Sequence, residues 1–318
     1  MGRRLRTLRS KPLALSILAA GVVLFAAVGA LGALRYARGY WLYRGFPPPR
    51  DPSFVTQTGT AERISVASPA LGGRQQEVYV YLPPGYADHP QRRYPVFYLL
   101  HGFPGRPAAF LLTLRVGVVE DVLLAKRFAG PMILVMPFGS TGTFTDKEWA
   151  NGVRANDGWE TFVARDVVRA IDSRYRTIPT GAARGLAGLS EGGYGALNIG
   201  LHHPGEFGVL ESWSGYERAA DIKSIFAHRR NLLDWNSPLL LLPKVAPELR
   251  AVPTYVWFYA GADDRASLGR ENLAFGRALT EARIPHRFLR VRGGHTWAVW
   301  RGKAWLAYVV AYRHLEHA

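Results

Sequence analysis

The 318-residue chain contains no cysteine. That excludes disulfides, thiolate zinc sites and a cysteine nucleophile. It also lacks a His-Glu-x-x-His run or any comparable ligand cluster, so no metal is expected. Internal repeats and nucleic-acid-binding motifs are absent, and no composition break marks a second folded domain. Acids are scarce: 24 Asp and Glu stand against 40 Lys and Arg, for a net charge of +16 and a pI of about 10.3. Without a motif to use it, this charge reads as a solvated basic surface suited to anionic lipid or cell-wall polymer, or as a basic face with no specific partner. Nucleic acid is not an expected partner. Apolar residues make up 48% of the chain, ample for one large core.

What is present begins with Arg3, Arg4, Arg6, Arg9 and Lys11, followed by an uncharged run from Leu13 to Leu34. As a helix that run spans ~33 Å, against ~30 Å for the hydrocarbon core of a bilayer. Residues 1–12 are therefore expected as a cytoplasmic basic segment and 13–34 as a single transmembrane anchor, leaving the rest of the chain on the outer side. The alternative is a cleaved signal sequence and a secreted protein, with Gly29, Ala30, Gly32 and Ala33 small enough for a cleavage site. The anchor is preferred because the run exceeds the ~7–15 residues of a signal peptide's apolar segment. Tyr36, Tyr40, Trp41 and Tyr43 form an aromatic belt, and residues 35–60, which include Phe46-Pro47-Pro48-Pro49, read as a linker.

From residue 61 onward the pattern is that of an α/β domain. Arg63–Ala67 and Gln76–Leu82 alternate as strands of an antiparallel edge. Pro95–Leu100 and Pro131–Pro137 are continuous apolar runs of the buried parallel kind, separated by helix-forming Leu111–Phe128. Trp159–Tyr175 is amphipathic, with Phe162, Val163, Val167 and Ile171 on one face. Strands ending at Leu186 and over Phe207–Trp213, Tyr255–Ala260 and Arg287–Val291 follow, with helices over Leu268–Ala282 and from Trp297. This order implies a mostly parallel central sheet with helices on both faces.

The chemistry gathers around Gly188-Leu189-Ser190-Glu191-Gly192, a strand, tight turn and helix with serine at the tip. Such an elbow holds a serine clear of the sheet as a nucleophile. After a later strand come Asp263 and Asp264, and after the last strand His295 sits in a glycine turn. The order serine, acid, histidine suits a triad in which His295 takes the Ser190 proton and an aspartate fixes its tautomer. His202 and His203 read as a helix cap, and His314 and His317 as a frayed terminus. An oxyanion hole needs two backbone N–H groups. Glu191 supplies one; Phe103 is the candidate for the other, with Gly102 behind it, since Pro104 has none. Trp149 and Asn151, in the loop after the second central strand with Asp146 and Glu148, and Trp297 beyond His295, are the candidate substrate-bordering residues.

Val80–Tyr86, the run ending in His101-Gly102, Trp159-Glu160-Thr161-Phe162, the elbow, Gly261-x-x-Asp264 and Gly294-His295-x-Trp297 together resemble the serine esterases of the esterase D group, which includes feruloyl esterases, S-formylglutathione hydrolases and secreted mycolyltransferases. The resemblance covers roughly residues 62–315. It implies an α/β-hydrolase fold over 61–318, acyl-ester chemistry without a cofactor, and selects Asp264 over Asp263 as the acid. The expected function is a serine hydrolase forming an acyl-enzyme on Ser190, with an envelope acyltransferase using the same triad, or a non-catalytic binding module, as alternatives. Partners would be an ester substrate, from lipid or cell envelope, and the membrane itself. Glu191 departs from the methionine of many relatives; it is expected either to salt-bridge outward or to disfavour anionic substrates. Leu239–Leu242 would line an acyl pocket, face a membrane or pack a cap onto the body.

Overall fold

The computed structural model describes residues 10–142, 144–222 and 224–317. The chain divides into two units, 1–48 and 49–318. Among the described residues the first holds one helix, α1 (Ser10–Tyr43), which is long and apolar enough to cross a membrane from Leu15 onward. It runs past Leu34 through the aromatic belt, so residues 35–43 are helix and not linker. Nothing there breaks it: Tyr, Trp, Arg, Leu and Ala all tolerate helix, the single Gly39 costs only about 1 kcal/mol, and the prolines begin only at Pro47. The second unit begins before residue 61. Ahead of its first strand, the Gly59 N–H already donates to the Tyr81 hydroxyl at 3.0 Å and to the Asp121 carboxylate at 3.2 Å.

Among the described residues this unit has eight strands: β1 (Thr60–Ser68), β2 (Arg74–Leu82), β3 (Val96–Leu100), β4 (Ile133–Pro137), β5 (Arg184–Leu189), β6 (Val209–Trp213), β7 (Tyr255–Gly261) and β8 (His286–Val291). They form one sheet in the order β1-β2-β4-β3-β5-β6-β7-β8. β1 and β2 pair antiparallel at one edge, and the pairs from β4 to β8 are parallel. The helices are α2 (Ala108–Leu112), α3 (Val116–Ala125), α4 (159–174), α5 (Glu191–His202), α6 (Arg230–Trp235), α7 (Pro238–Arg250), α8 (Ala266–Glu281) and α9 (Trp297–His314). The continuous helix expected over Leu111–Phe128 is broken where Arg115 adopts a left-handed conformation (φ 54°), and one turn of α4, Phe162–Val167, is wound as π-helix.

Alternation along the central strands feeds two cores. Tyr98, Leu186, Leu210 and Phe258 face Phe162, Leu197, Leu242 and Phe275 of the helices on one side, while Leu99, Ala187, Trp213 and Tyr259 face Leu123, Trp300 and Tyr308 on the other. Leu241 and Leu242 are fully buried in the first core, so the leucine run packs a cap segment onto the body. His202 and His203 do end α5, the His203 N–H capping it on the Ile199 carbonyl at 3.0 Å. Their rings bond the two carboxylate oxygens of Glu160 at 2.8 and 3.0 Å, joining α5 to α4. The end expected to be frayed is ordered among the described residues: α9 continues to His314, whose ring stacks on Tyr255.

Candidate active site

Ser190 lies between β5 and α5 with φ 56° and ψ −120°, a strained conformation for a side chain other than glycine. It persists because the turn is packed backbone to backbone. A Cβ on Gly188 would lie 2.2 Å from the Gly192 carbonyl oxygen, and one on Gly192 would lie 2.0 Å from that of Leu100. The Ser190 N–H donates to the Trp213 carbonyl at 2.9 Å, and its carbonyl accepts the N–H groups of Gly193 and Tyr194. These ties hold the tip over the carboxyl ends of the parallel strands, the edge where open α/β sheets keep their sites.

His295 reaches the same rim from the loop after β8. Its Nε2 is 2.8 Å from Ser190 Oγ, and its Nδ1 is 3.7 Å from Asp264 Oδ1. Asp264 Oδ2 accepts the Gly261 N–H at 2.7 Å, which fixes the carboxylate, and its side chain is almost fully buried. Asp263 is exposed in the turn. Burial lowers the His295 pKa below its ordinary value; Asp264 opposes this, and Arg265 adds to the lowering. The ring is thus neutral near pH 7, with a lone pair free to accept a proton. Its outer face rests edge-on against Trp300, centroids 4.9 Å apart.

The loop after β3 lies against the elbow: a Cβ on Gly102 would come within 3.1 Å of Ser190 Cβ. Phe103 follows, exposed at the surface. His101 braces this loop. Its Nε2 accepts the Gly139 N–H at 3.2 Å, which leaves the proton on Nδ1, directed at the Gly102 carbonyl at 3.1 Å. Burial depresses its pKa to about 4, so the ring stays neutral.

Two of the expected substrate-bordering residues point elsewhere. Trp149 is fully buried, and its Nε1–H donates to the His101 carbonyl at 2.9 Å, so it supports the loop from beneath and touches no solvent. Left-handed conformations at Glu148 and Trp149 (φ 52° at each) turn it inward. Asn151 is exposed but spent on structure: its side chain receives the Thr161 N–H at 3.1 Å and donates to Thr161 Oγ1 at 3.0 Å. Trp297 is half-buried beside His295, edge-on to Trp300. Glu191 makes no outward salt bridge either. Its side chain is buried, and Oε1 accepts the Glu148 N–H at 3.0 Å. Burial, with the nearby Asp146 charge, raises its pKa well above the ordinary carboxyl range.

Sequence reading missed the company Glu191 keeps. Carboxylate oxygens of Asp146, Glu148 and Glu191 lie within 4.8 Å of one another, a spacing that would admit a metal ion. A crevice of about 360 Å³ runs from Asp146 and Glu148 past Tyr216, Ile222 and Ile225 to Arg265. No periodicity or spacing in the sequence brings 146–148 to the elbow; only the inward turn of that loop does.

The Esterase family model matches residues 68–304, three quarters of the chain and all of the elements just described from β3 to His295. The chain belongs to the Esterase family. Within this family it is 33% identical over 160 residues to an endo-1,4-beta-xylanase/feruloyl esterase of Xylanibacter ruminicola, covering 49% of this chain and 22% of that protein. It is 27% identical over 246 residues to esterase Rv1288 of Mycobacterium tuberculosis, covering 69% of this chain and 52% of that protein. The chain thus spans about half or less of the length of these curated relatives. Among solved structures, a ferulic acid esterase superposes with a TM-score of 0.71 at 25% identity, over 81% of this chain and all of that one.

Proposed function

We propose that this esterase-family chain is a serine hydrolase of carboxylic esters, working through an acyl-enzyme on Ser190. The observation that carries the reading is the contact of His295 Nε2 with Ser190 Oγ at 2.8 Å, with the buried Asp264 carboxylate on the far side of the ring. As Oγ attacks the ester carbonyl carbon, Nε2 accepts the serine proton, and Asp264 stabilises the imidazolium that results. The carbonyl oxygen becomes an oxyanion, received by the backbone N–H groups of Glu191 and Phe103. The imidazolium then protonates the departing alcohol. Water, activated by the same ring, attacks the acyl-enzyme and frees the acid. The crevice lined by Asp146, Glu148, Tyr216 and Arg265 receives the parts of the ester that do not react, and Trp297, two residues after His295, borders the ester. On this reading α1 is a single-pass anchor in the cytoplasmic membrane, with the basic end inside and the hydrolase unit outside.

The test is hydrolysis of p-nitrophenyl esters from acetate to palmitate, with product analysis in the presence and absence of a glycan or lipid hydroxyl acceptor. Release of free acid regardless of acceptor, reduced on the order of 10³-fold or more in Ser190→Ala, supports a hydrolase. Acyl transfer that requires the acceptor would reassign the chain to an acyltransferase.

A further inference from the structure

Burying a carboxyl next to a nucleophile is costly, and an apolar side chain of the same length would fill the space without the penalty. Glu191 is 4% exposed and lies beside two other acids, so the carboxyl needs an accounting. Its Oε1 and Asp146 Oδ1 share one donor, the Glu148 N–H, at 3.0 and 3.1 Å. Glu148 and the next residue both hold left-handed backbone conformations, which few side chains adopt without an external tie. The outcome of that turn is the inward Trp149 ring. It fills space opened by two glycines: a Cβ on Gly139 would lie 2.3 Å from the ring, and one on Gly195 of α5 would lie 2.5 Å from Trp149 Cβ. The ring's Nε1–H ends on the His101 carbonyl, one residue before Gly102 and two before Phe103.

We propose that the Glu191 side chain is a positioning residue of the oxyanion site. It acts through Glu148 and Trp149 to tie the His101–Phe103 loop to the elbow that carries the Glu191 N–H. The proposal rests on the reading of Ser190 as nucleophile. One residue thereby serves both halves of the hole: its backbone N–H is one donor, and its side chain sets where the other stands. The circuit runs from the Glu191 carboxyl to the Glu148 N–H, through the chain to Trp149, and from Nε1–H to the His101 carbonyl. The Gly139 N–H, held on His101 Nε2, closes the loop's other side. Burial, with the Asp146 charge, raises the Glu191 pKa and so favours its neutral form, which still accepts the N–H.

The experiment uses the full chain in detergent and compares wild type with Glu191→Met, Glu191→Gln, Trp149→Phe and the Glu191→Met/Trp149→Phe double variant. Methionine keeps the length and removes the acceptor; glutamine keeps an acceptor oxygen. Phenylalanine keeps a ring and removes the donor. Steady-state p-nitrophenyl acetate hydrolysis should show Glu191→Met reduced about tenfold or more in kcat with KM within about twofold, because mispositioned donors weaken transition-state binding selectively. Glu191→Gln should recover most of that loss. Trp149→Phe should resemble Glu191→Met, and the double variant should lose no more than about either single change, since both cut one circuit. Hydrogen exchange read by mass spectrometry gives a measure independent of turnover: segments 101–105 and 146–150 should exchange faster in Glu191→Met and recover in Glu191→Gln. Unchanged exchange at 101–105 in Glu191→Met overturns the tie, whether or not the wild type hydrolyses the ester. An unchanged kcat in Glu191→Met, or losses in the double variant that multiply, overturns the positioning role. If the wild type itself turns over no ester, the nucleophile reading fails, and exchange alone decides the tie.

Discussion

Acidification should loosen the His101 brace, and by an amount the structure lets us work out. His101 is buried with Nε2 already accepting the Gly139 N–H, so a second proton has no acceptor and must displace that bond. Its pKa is depressed to about 4, against about 6.5 for an unperturbed histidine. Between those values the unfolded chain binds a proton that the folded chain refuses, so stability rises with pH through the window and is fully present above about 6.5. Acidification through it should cost about 2 kcal/mol at pH 5 and about 3 kcal/mol at pH 4 from this residue alone. Other groups shift in the opposite sense. The buried carboxyls of Glu120, Glu191, Glu211 and Glu217 all have raised pKa values and favour the folded state at low pH. The assay is therefore a difference. Urea unfolding of the 49–318 unit, whose three apolar clusters lie within it, is measured from pH 7 to pH 4 for wild type and for His101→Gln. The variant is less stable at pH 7, yet the gap between the two proteins should narrow by about 2–3 kcal/mol on acidification. Parallel pH curves would refute the assignment of a neutral, bond-accepting His101.

Two further outcomes follow from the elbow and its base. The acid limb of kcat/KM should have its midpoint below the ordinary histidine value of about 6.5, because burial lowers the His295 pKa; a pH–rate profile with a midpoint at or above that value would contradict it. Gly192→Ala should destabilise the unit by at least ~2 kcal/mol, since its Cβ would fall 2.0 Å from a backbone oxygen that cannot move aside. Gly269→Ala, in the interior of α8 with nothing within 4 Å of the new Cβ, should instead stabilise by ~0.5–1 kcal/mol; thermal unfolding of the pair tests the contrast of sign.

Much of the fold could be read in advance because buried parallel strands announce themselves as uninterrupted apolar runs, as in Val96–Leu100 and Ile133–Pro137. The elbow was legible for a local reason as well: Gly188 and Gly192 are demanded by backbone contacts within a few residues and one neighbouring strand. Features decided by a single backbone dihedral were not. Trp149 in a loop looked like a residue for substrate, and two left-handed residues in a row turn it into the interior. Glu191 read as an acid that would salt-bridge outward or disfavour anionic substrates, and its burial depends on where the 146–149 loop crosses α5, a contact more than 40 positions away in the chain. The break between α2 and α3 at Arg115 is of the same kind, since neither glycine nor proline marks it.

Hydrolysis by this chain requires Ser190 to be a nucleophile activated by His295. The most direct measurement is intact-mass and peptide analysis after treatment with a fluorophosphonate, which forms a stable phosphonyl ester with an activated serine. One adduct per chain is expected, carried on Ser190, absent in Ser190→Ala and slowed in His295→Ala. A folded wild-type protein that takes up no label, or takes it up elsewhere, would contradict it.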